Sequence, residues 1–231
     1  MSTIAENLKI VGERIEKAAI RSGRSLEEIQ LVAVTKTVEP ARIREAIDAG
    51  ATAFGENWIQ EAKPKIEEIG RGVEWHFIGH LQSNKVKFIF DLFDLIHSVD
   101  SLSLAQEIGK RAKARGMTAD LLIQVNVSRE LTKEGLDLEE VFPTIEAMAA
   151  LPSLRIKGLM TIAPLSYNSE DSRPYFRSLR ELALKIKSEK IDGVSMDELS
   201  MGMSGDFEVA IEEGATLVRV GSAIFGERPH K

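Results

Sequence analysis

The sequence predicts an α/β protein built as a (β/α)8 TIM barrel, and three observations support this fold class. Eight short β-rich apolar runs alternate with amphipathic helical stretches along the chain. The 231 residues are close to the ~250 typical of such a barrel, and an open doubly wound sheet usually has fewer strands. No Pro/Gly/Ser-rich linker divides the chain. We therefore expect one domain over residues 1–231.

The elements follow in order from apolar periodicity and from start and stop residues. An extra amphipathic helix opens the chain at MSTIAENLKIVGERIEKAA, before the first strand. The eight predicted strands are Gln30–Val34, Thr52–Gly55, Glu74–Gly79, Leu95–Val99, Asp120–Val127, Arg155–Met160, Glu198–Met201 and Thr216–Val220. The predicted helices between them are Pro40–Ala49, Trp58–Ile69, Lys85–Asp91, Ser101–Arg115, Asp137–Ala149, Asp171–Ser188 and Asp206–Glu213.

Prolines and glycines punctuate this pattern. Pro40 stands in the first turn of a predicted helix, where its missing N–H costs nothing. Gly50, Gly70 and Gly116 each follow the last periodic residue of a helix, as C′ glycines do. Few residues follow the eighth strand, so we expect no C-terminal β domain.

Composition excludes several functional classes. Thirty basic and thirty-six acidic residues give a net charge of −6 with both signs spread along the chain, which leaves no basic stripe for nucleic acid. The absence of cysteine excludes disulfide scaffolds, thiolate zinc sites and cysteine nucleophiles. No signal peptide or membrane span is evident in the sequence, so we expect a cytoplasmic protein without a membrane partner.

Lys36 ends the first predicted strand and is a candidate nucleophile. Period-two alternation places Val32, Val34 and Lys36 on one face, which directs the lysine into the barrel mouth. Near a low-dielectric core the pKa of a lysine readily falls, which suits formation of a Schiff base with a carbonyl. A lone lysine at a strand end more often extends into water, so this role depends on the rest of the site.

Arg219 on the eighth predicted strand is the second candidate. Leu217 and Arg219 alternate with Val218 and Val220, and the valines suit contact with the outer helices. An arginine that points into the barrel needs an acceptor there. A structural ion pair would supply one, and so would a ligand.

Two glycine-rich turns follow the last two predicted strands. They read SMGMSGD from Ser200 to Asp206 and GSAIFG from Gly221 to Gly226. Small residues let backbone N–H groups and hydroxyls approach an anion, and this is the usual phosphate position of the barrel fold. A lysine, an arginine and a phosphate cradle together match the aldehyde, ring nitrogen and phosphate of pyridoxal 5′-phosphate (PLP).

The motifs of the chain also resemble a known family. The segments AVTK, FGEN, WHFIGHLQSNK, GLMTIAP and LSMGMSGDFEVAIEEGATLVRVGSAIFGER are similar to the pyridoxal-phosphate homeostasis protein family, single-domain relatives of the alanine racemase barrel. The resemblance runs from the first strand to the end of the chain. It implies an alanine-racemase-like barrel that binds PLP and takes part in vitamin B6 homeostasis, without an established catalytic activity.

The resemblance also implies roles for individual residues. Lys36 would form the internal aldimine, Arg219 would face the pyridine nitrogen, and Asn57 of FGEN would lie by the ring. The residues implied around the phosphate are Ser200, Ser204, Gly221 and Ser222, where many relatives have threonine in place of Ser222. The stretch Val127–Thr132 departs from the family, which more often carries glycine and acidic residues there.

The four histidines are expected to have different roles. His80, at a strand end, is expected to border the cofactor, whereas His76 and His97 are most simply core residues and His230 belongs to a tail. The four-residue spacing of His76 and His80 lacks a third ligand and an HExxH pattern, so no metal is expected.

Three functions remain open from the sequence. The first is a monomeric protein that carries or buffers PLP, with PLP-dependent apo-enzymes as candidate partners. The second is a slow amino-acid racemase or related carbanion enzyme, although an opposed acid is missing unless Tyr167 or His80 supplies it. The third is a Schiff-base lyase that binds a sugar phosphate without a cofactor. An arginine beside the ring nitrogen of PLP cannot accept a proton from it, so it disfavours protonation of the pyridine. This weakens PLP as an electron sink and favours the first function.

Overall fold

The computed structural model describes residues 2–130 and 133–227, and eight of its strands form a closed parallel barrel. The strand order is β4-β3-β2-β1-β9-β8-β7-β5, and pairing of β4 with β5 closes the ring. The strands are β1 Gln30–Val34, β2 Ala53–Glu56, β3 Glu74–Phe77, β4 Leu95–Val99, β5 Ala119–Asn126, β6 Leu136–Asp137, β7 Leu154–Met160, β8 Val194–Ser200 and β9 Leu217–Val220. The predicted barrel is therefore confirmed.

Helices connect the strands on the outside of the barrel. They are α1 Ile4–Arg21, α2 Pro40–Asp48, α3 Ile59–Ile69, α4 Leu102–Ala114, α5 Leu138–Ala149, α6 Arg173–Ser188, α7 Phe207–Glu212 and α8 Ser222–Phe225. Three short 3-10 helices cover Leu26–Glu28, Ser83–Asp91 and Ser169–Ser172. None of the helices in these described ranges has the length and apolar character needed to cross a bilayer.

Four elements differ from the sequence prediction. β8 begins at Val194, four residues before the predicted start, and Met196 within it has a left-handed φ of 55°. The strand is bulged where it pairs with β7, and a bulge breaks the period-two pattern. The predicted helix Lys85–Asp91 is a 3-10 helix from Ser83. The pattern also missed β6, which pairs with β5 outside the ring, and α8.

The predicted N-terminal helix is confirmed as α1. Thr3 and Glu6 form a capping box at its start, and its apolar face is buried. The side-chain amide of Asn7 donates to the carbonyl of Ile224 at 2.8 Å, and Arg14 pairs with Glu208 at 2.7 Å. α1 thereby supports α7 and α8, the two helices that follow the glycine-rich turns.

The barrel has two apolar layers separated by its strands. The larger layer lies between strands and helices and includes Ala33, Val218 and Val220. The smaller layer fills the inside of the ring and is formed by Val32, Ala53, Leu122, Met160 and Leu217. The predicted facing of Val32 and Leu217 into the barrel is thus confirmed.

Candidate functional site

Lys36 lies at the C-terminal end of the barrel, in the turn after β1. β1 runs beside β9, with Val32 opposite Arg219, so Lys36 and Gly221 leave neighbouring strands at the same end. Lys36 is half-buried, and Thr37 after it has a left-handed φ of 62°, which is uncommon for threonine. β1 ends at Val34, so the period-two alternation that predicted an inward Lys36 does not extend to this residue.

A buried ion cluster, here called the Lys65 cluster, holds the turn on both sides of Lys36. It consists of Lys65, Glu56 and Glu61. The ammonium of Lys65 donates to the carbonyl of Thr35 at 2.7 Å and to Glu56 Oε1 at 2.9 Å, and it also contacts Glu61. Glu61 in turn accepts the backbone N–H of Thr37. The residue before Lys36 is therefore tied to β2 and α3, and the residue after it is tied to α3.

The electrostatics of the Lys65 cluster are unusual. Glu56 is fully buried, its Oε1 also accepts the Thr35 hydroxyl at 2.7 Å, and its Oε2 has no hydrogen-bond partner among the described residues. Burial raises the pKa of the Glu56 carboxyl, and the Lys65 ammonium opposes that rise. Sequence analysis missed this cluster. The signals were the i,i+4 pair Glu61 and Lys65 and the outward parity of Glu56 with Phe54.

Arg219 points into the barrel, as the alternation on β9 predicted. The residue is 4% exposed, and its guanidinium donates to the Ser200 hydroxyl and, at 2.8 Å, to the carbonyl of Thr161. Both acceptors are neutral. Burial lowers the pKa of Arg219 to about 10, against a smaller opposing effect of Asp206. The site thus contains a buried cation whose hydrogen-bond acceptors, among the described residues, carry no compensating charge.

The two glycine-rich turns contact each other through Ser204. Its hydroxyl accepts the backbone N–H of Gly221 at 3.2 Å and that of Ala223 at 3.4 Å. Ser222, between them, is exposed at the start of α8. Gly202 has a φ of 88°, and a Cβ there would lie 2.5 Å from that of Ala210, so the turn packs closely on α7.

Ser200 occupies a different position from the other predicted phosphate residues. It is the last residue of β8, fully buried, and its hydroxyl lies between Arg219 and His97 Nδ1, the latter at 2.8 Å. Its hydroxyl therefore belongs to the barrel interior in this structure. The phosphate role of Ser200 stays a prediction.

Asn57 and His80 border one cleft. The cleft has a volume of 460 Å³, and the residues lining it are Asn57, Trp58, Ile59, Gln60, Phe77, His80, Leu81, Gln82, Lys85 and Glu134. The backbones of Gly79 and Asn57 touch, since a Cβ on Gly79 would lie 2.2 Å from the Asn57 carbonyl oxygen. The imidazole of His80 is half-exposed, with Nδ1 3.2 Å from Glu134 Oε1. Asn57 and His80 therefore share one cleft, and neither Lys36 nor Arg219 is among the residues that line it.

The segment after β5 joins this cleft through Glu134. The side-chain amide of Asn126 donates to the carbonyl of Glu130 at 2.9 Å, and that of Gln124 donates to the carbonyl of Glu134 at 3.3 Å. The end of β5 thus anchors the segment on both sides. Leu131 and Thr132 of the divergent stretch Val127–Thr132 lie outside the described residues, as does His230.

The structure brings His76 and His97 together, which the sequence did not indicate. Both rings are buried inside the barrel, and His97 Nε2 lies 3.0 Å from His76 Nδ1. Residues 2–130 and 133–227 hold no group of three or more His, Asp or Glu side chains arranged to bind a metal ion. His97 therefore lies between His76 and Ser200, and His76 lies between His97 and Glu74.

Comparison with known proteins gives a consistent family. A family model described as "Alanine racemase, N-terminal domain" matches residues 3–229. The chain is 48% identical over 226 residues to the pyridoxal phosphate homeostasis protein of Aquifex aeolicus, covering 97% of this chain and 98% of that protein.

Solved structures resemble the chain over nearly its whole length. PipY of Synechococcus elongatus, solved with PLP bound, has a TM-score of 0.83 and 37% identity, covering 97% of this chain and 100% of that one. Alanine racemase from Corynebacterium glutamicum has a TM-score of 0.73 at 18% identity, a likeness of fold that covers 98% of this chain and 61% of the racemase.

Proposed function

Because the chain belongs to the pyridoxal phosphate homeostasis protein family, with the barrel of the alanine racemase N-terminal domain, we propose that it binds PLP and helps to maintain a protein-bound pool of it. In this proposal PLP is linked covalently to Lys36. Structural relatives at this level of identity include PipY, which was solved with PLP bound.

The observation that carries the proposal is the buried Arg219 at the end of the barrel where Lys36 lies. A buried cation whose acceptors are all neutral is costly, and a ligand with lone pairs reduces that cost. Lys36, Arg219 and the paired glycine-rich turns match the aldehyde, ring nitrogen and phosphate. The donor set therefore fits PLP.

Other residues complete the proposed site. Asn57 and His80 flank the opening beside the ring, and Ser204, Gly221 and Ser222 supply hydroxyl and backbone N–H groups to the phosphate. Ser200 contributes through Arg219, which its hydroxyl contacts. When bound, PLP supplies an aldehyde that condenses with amines and a ring that withdraws electrons. Arg219 has donors only, so it holds the ring nitrogen in its unprotonated form.

We propose a carrier or buffer of PLP in preference to a catalyst. Racemisation needs an acid and a base on opposite faces of the substrate. The chain has two tyrosines: Tyr167 is fully exposed after β7, and Tyr175 packs on the outer side of the barrel. Neither lies in the barrel interior with Arg219. His80 is the remaining candidate for an opposed acid.

The proposal includes a monomeric, cytoplasmic protein with neither nucleic acid nor membrane as partner. The net charge of −6 with interspersed signs supports the first exclusion. PLP-dependent apo-enzymes are the proposed recipients of the cofactor.

We expect the ligand-free protein to bind PLP more tightly than pyridoxal by at least about 100-fold. Two charge-assisted hydrogen bonds to the phosphate, at about 1.5 kcal/mol each, correspond to roughly that factor. The measurement is an absorbance titration of the apo-protein with each compound. Equal affinities would remove the basis for placing the phosphate at these turns.

Two serine variants provide the test of the phosphate site and its control. Ser204→Ala should reduce the ratio of the two affinities, because Ser204 joins the two turns. Ser195→Ala, at the opposite end of β8, should leave the ratio unchanged. A fall of equal size in both variants would show that the ratio reports general stability and not the phosphate site.

We also expect slow exchange of the α-proton of amino acids, largely without inversion. Lys36 alone serves one face of a substrate at a time. The assay incubates holo-protein with L-amino acids in deuterated water and follows α-deuterium uptake and D-enantiomer formation. Multiple turnovers at about 1 per second or faster would identify an enzyme instead.

The rate at which the cofactor is transferred distinguishes active delivery from passive buffering. The holo-protein is mixed with a PLP-dependent apo-enzyme, and gain of its activity is compared with the rate at which PLP leaks into buffer. Faster transfer than leakage supports active delivery. Equal rates support a passive buffer.

A further inference from the structure

A chain of buried polar side chains crosses the barrel interior from β9 to β3. Arg219 contacts the Ser200 hydroxyl, which lies 2.8 Å from His97 Nδ1. His97 Nε2 lies 3.0 Å from His76 Nδ1, and His76 Nε2 lies 3.4 Å from Glu74 Oε2. His76 and His97 are 3% and 0% exposed. The chain thus links the proposed ring-facing arginine to Glu74 at the other end of the barrel, where the carboxylate is exposed.

Donor and acceptor capacity gives this chain one direction. A guanidinium only donates, so the Ser200 oxygen accepts from Arg219 and its own hydrogen is directed to His97 Nδ1. A neutral imidazole that accepts at Nδ1 carries its hydrogen on Nε2, and His97 therefore donates to His76 Nδ1. By the same rule His76 donates from Nε2 to the carboxylate of Glu74. The opposite direction would leave the Ser200 hydrogen without an acceptor in this chain.

The charges around the chain agree with this direction. Burial, with the charge of Arg219 nearby, holds the pKa of His97 well below its usual range. The hydrogen bond from His76 lowers the pKa of Glu74 to about 2, so Glu74 is an anionic acceptor. Glu74 also accepts the side-chain amide of Gln30 at 2.8 Å, which fixes the far end of the chain.

We propose that His76 and His97 are positioning residues that hold Arg219, through Ser200, in the orientation in which it faces the ring of PLP. With the Ser200 oxygen on Nη1 and the Thr161 carbonyl on Nη2, the plane of the guanidinium is fixed by two acceptors. The Ser200 oxygen serves as an acceptor because His97 takes its hydrogen. The role of Arg219 toward the ring rests on the proposed function, whereas the direction of the hydrogen bonds does not.

The first test needs no ligand. The protein has four histidines, so long-range ¹H–¹⁵N NMR spectra of the apo-protein can be assigned with the four single His→Gln variants. His97 is expected as the neutral Nε2–H tautomer between about pH 6 and pH 8, and its hydrogen bond with His76 is expected to run from His97 Nε2 to His76 Nδ1. A hydrogen on Nδ1 of His97, or a charged His97 in this range, would overturn the proposal.

The second test measures the effect on the bound cofactor. The side-chain oxygen of asparagine lies near the place of imidazole Nδ1 and can accept from Ser200, whereas leucine cannot. His97→Leu should therefore shift the yellow absorbance band of bound PLP at a fixed pH and weaken PLP binding about tenfold. A change of this size corresponds to the loss of about one hydrogen bond. His97→Asn should restore both properties in large part.

Leu122→Ala is the matched control, an interior truncation outside the polar chain. If it changes the band and the affinity as much as His97→Leu does at equal stability, the histidines only fill the core and the proposal fails. Equal effects of His97→Asn and His97→Leu would also overturn it. A wild-type protein that binds no PLP would contradict the proposed function instead, and the NMR spectra would then decide on the chain by themselves.

Discussion

Lys36→Ala is expected to abolish covalent attachment of PLP while the barrel stays folded. Lys36 stands at the C-terminal end of β1, where barrel enzymes place their chemistry, beside the strand that carries Arg219. The variant should lose the yellow absorbance band of covalently held PLP. Its far-UV circular dichroism should match that of the wild type, because Lys36 lies in a turn outside both apolar layers.

Borohydride reduction followed by peptide mapping identifies the attached residue directly. Lys65 is a poor alternative because its ammonium is paired with two carboxylates. Lys85 lines the cleft that Asn57 and His80 border, so Lys85→Ala is the matched control and should keep the band. A reduced adduct on Lys63, Lys85 or any other lysine of the wild-type protein would show that the assignment is wrong. A colourless wild-type protein would favour a cofactor-free Schiff-base enzyme.

Lys65→Met is expected to destabilise the protein by about 3–5 kcal/mol, the usual cost of removing one partner of a buried ion pair. The substitution leaves Glu56 fully buried without its cation, although Met fills a similar volume. Urea unfolding of the two proteins measures the difference. Lys63→Met is the control, because the ion pair of Lys63 with Glu67 is exposed and long, at 3.7 Å.

The destabilisation by Lys65→Met should shrink as the pH falls. Loss of the ammonium moves the folded-state pKa of Glu56, already raised by burial, further above the unfolded value of about 4.3. The folded variant then binds more protons than the unfolded chain, so its stability rises as the pH falls through the raised folded-state pKa of Glu56 towards the unfolded value. A loss as small as that of Lys63→Met, or one that grows in acid, would contradict the role assigned to the Lys65 cluster.

The barrel and the inward arginine were predictable because their signals are local. Gly50, Gly70 and Gly116 are all left-handed residues at helix ends, as their positions indicated. The alternation of Leu217 and Arg219 with the valines of β9 correctly identified the buried face. Prediction failed where the backbone departs from regular geometry. The predicted β8 began too late, because the left-handed Met196 interrupts the strand alternation before that point. The short α8 was interpreted as part of a glycine-rich turn.

The sequence by itself determined the fold class, the order of the strands along the chain and the candidates Lys36 and Arg219, because periodicity and capping involve residues close in the chain. The tertiary structure alone decided which polar side chains meet. His97 and Ser200 are 103 residues apart, and Thr35 and Lys65 are 30 apart. The first contact depends on the closure and register of the barrel, which bring the inward faces of β3, β4, β8 and β9 together, and the second depends on the packing of α3 against the turn after β1. No local pattern encodes either juxtaposition.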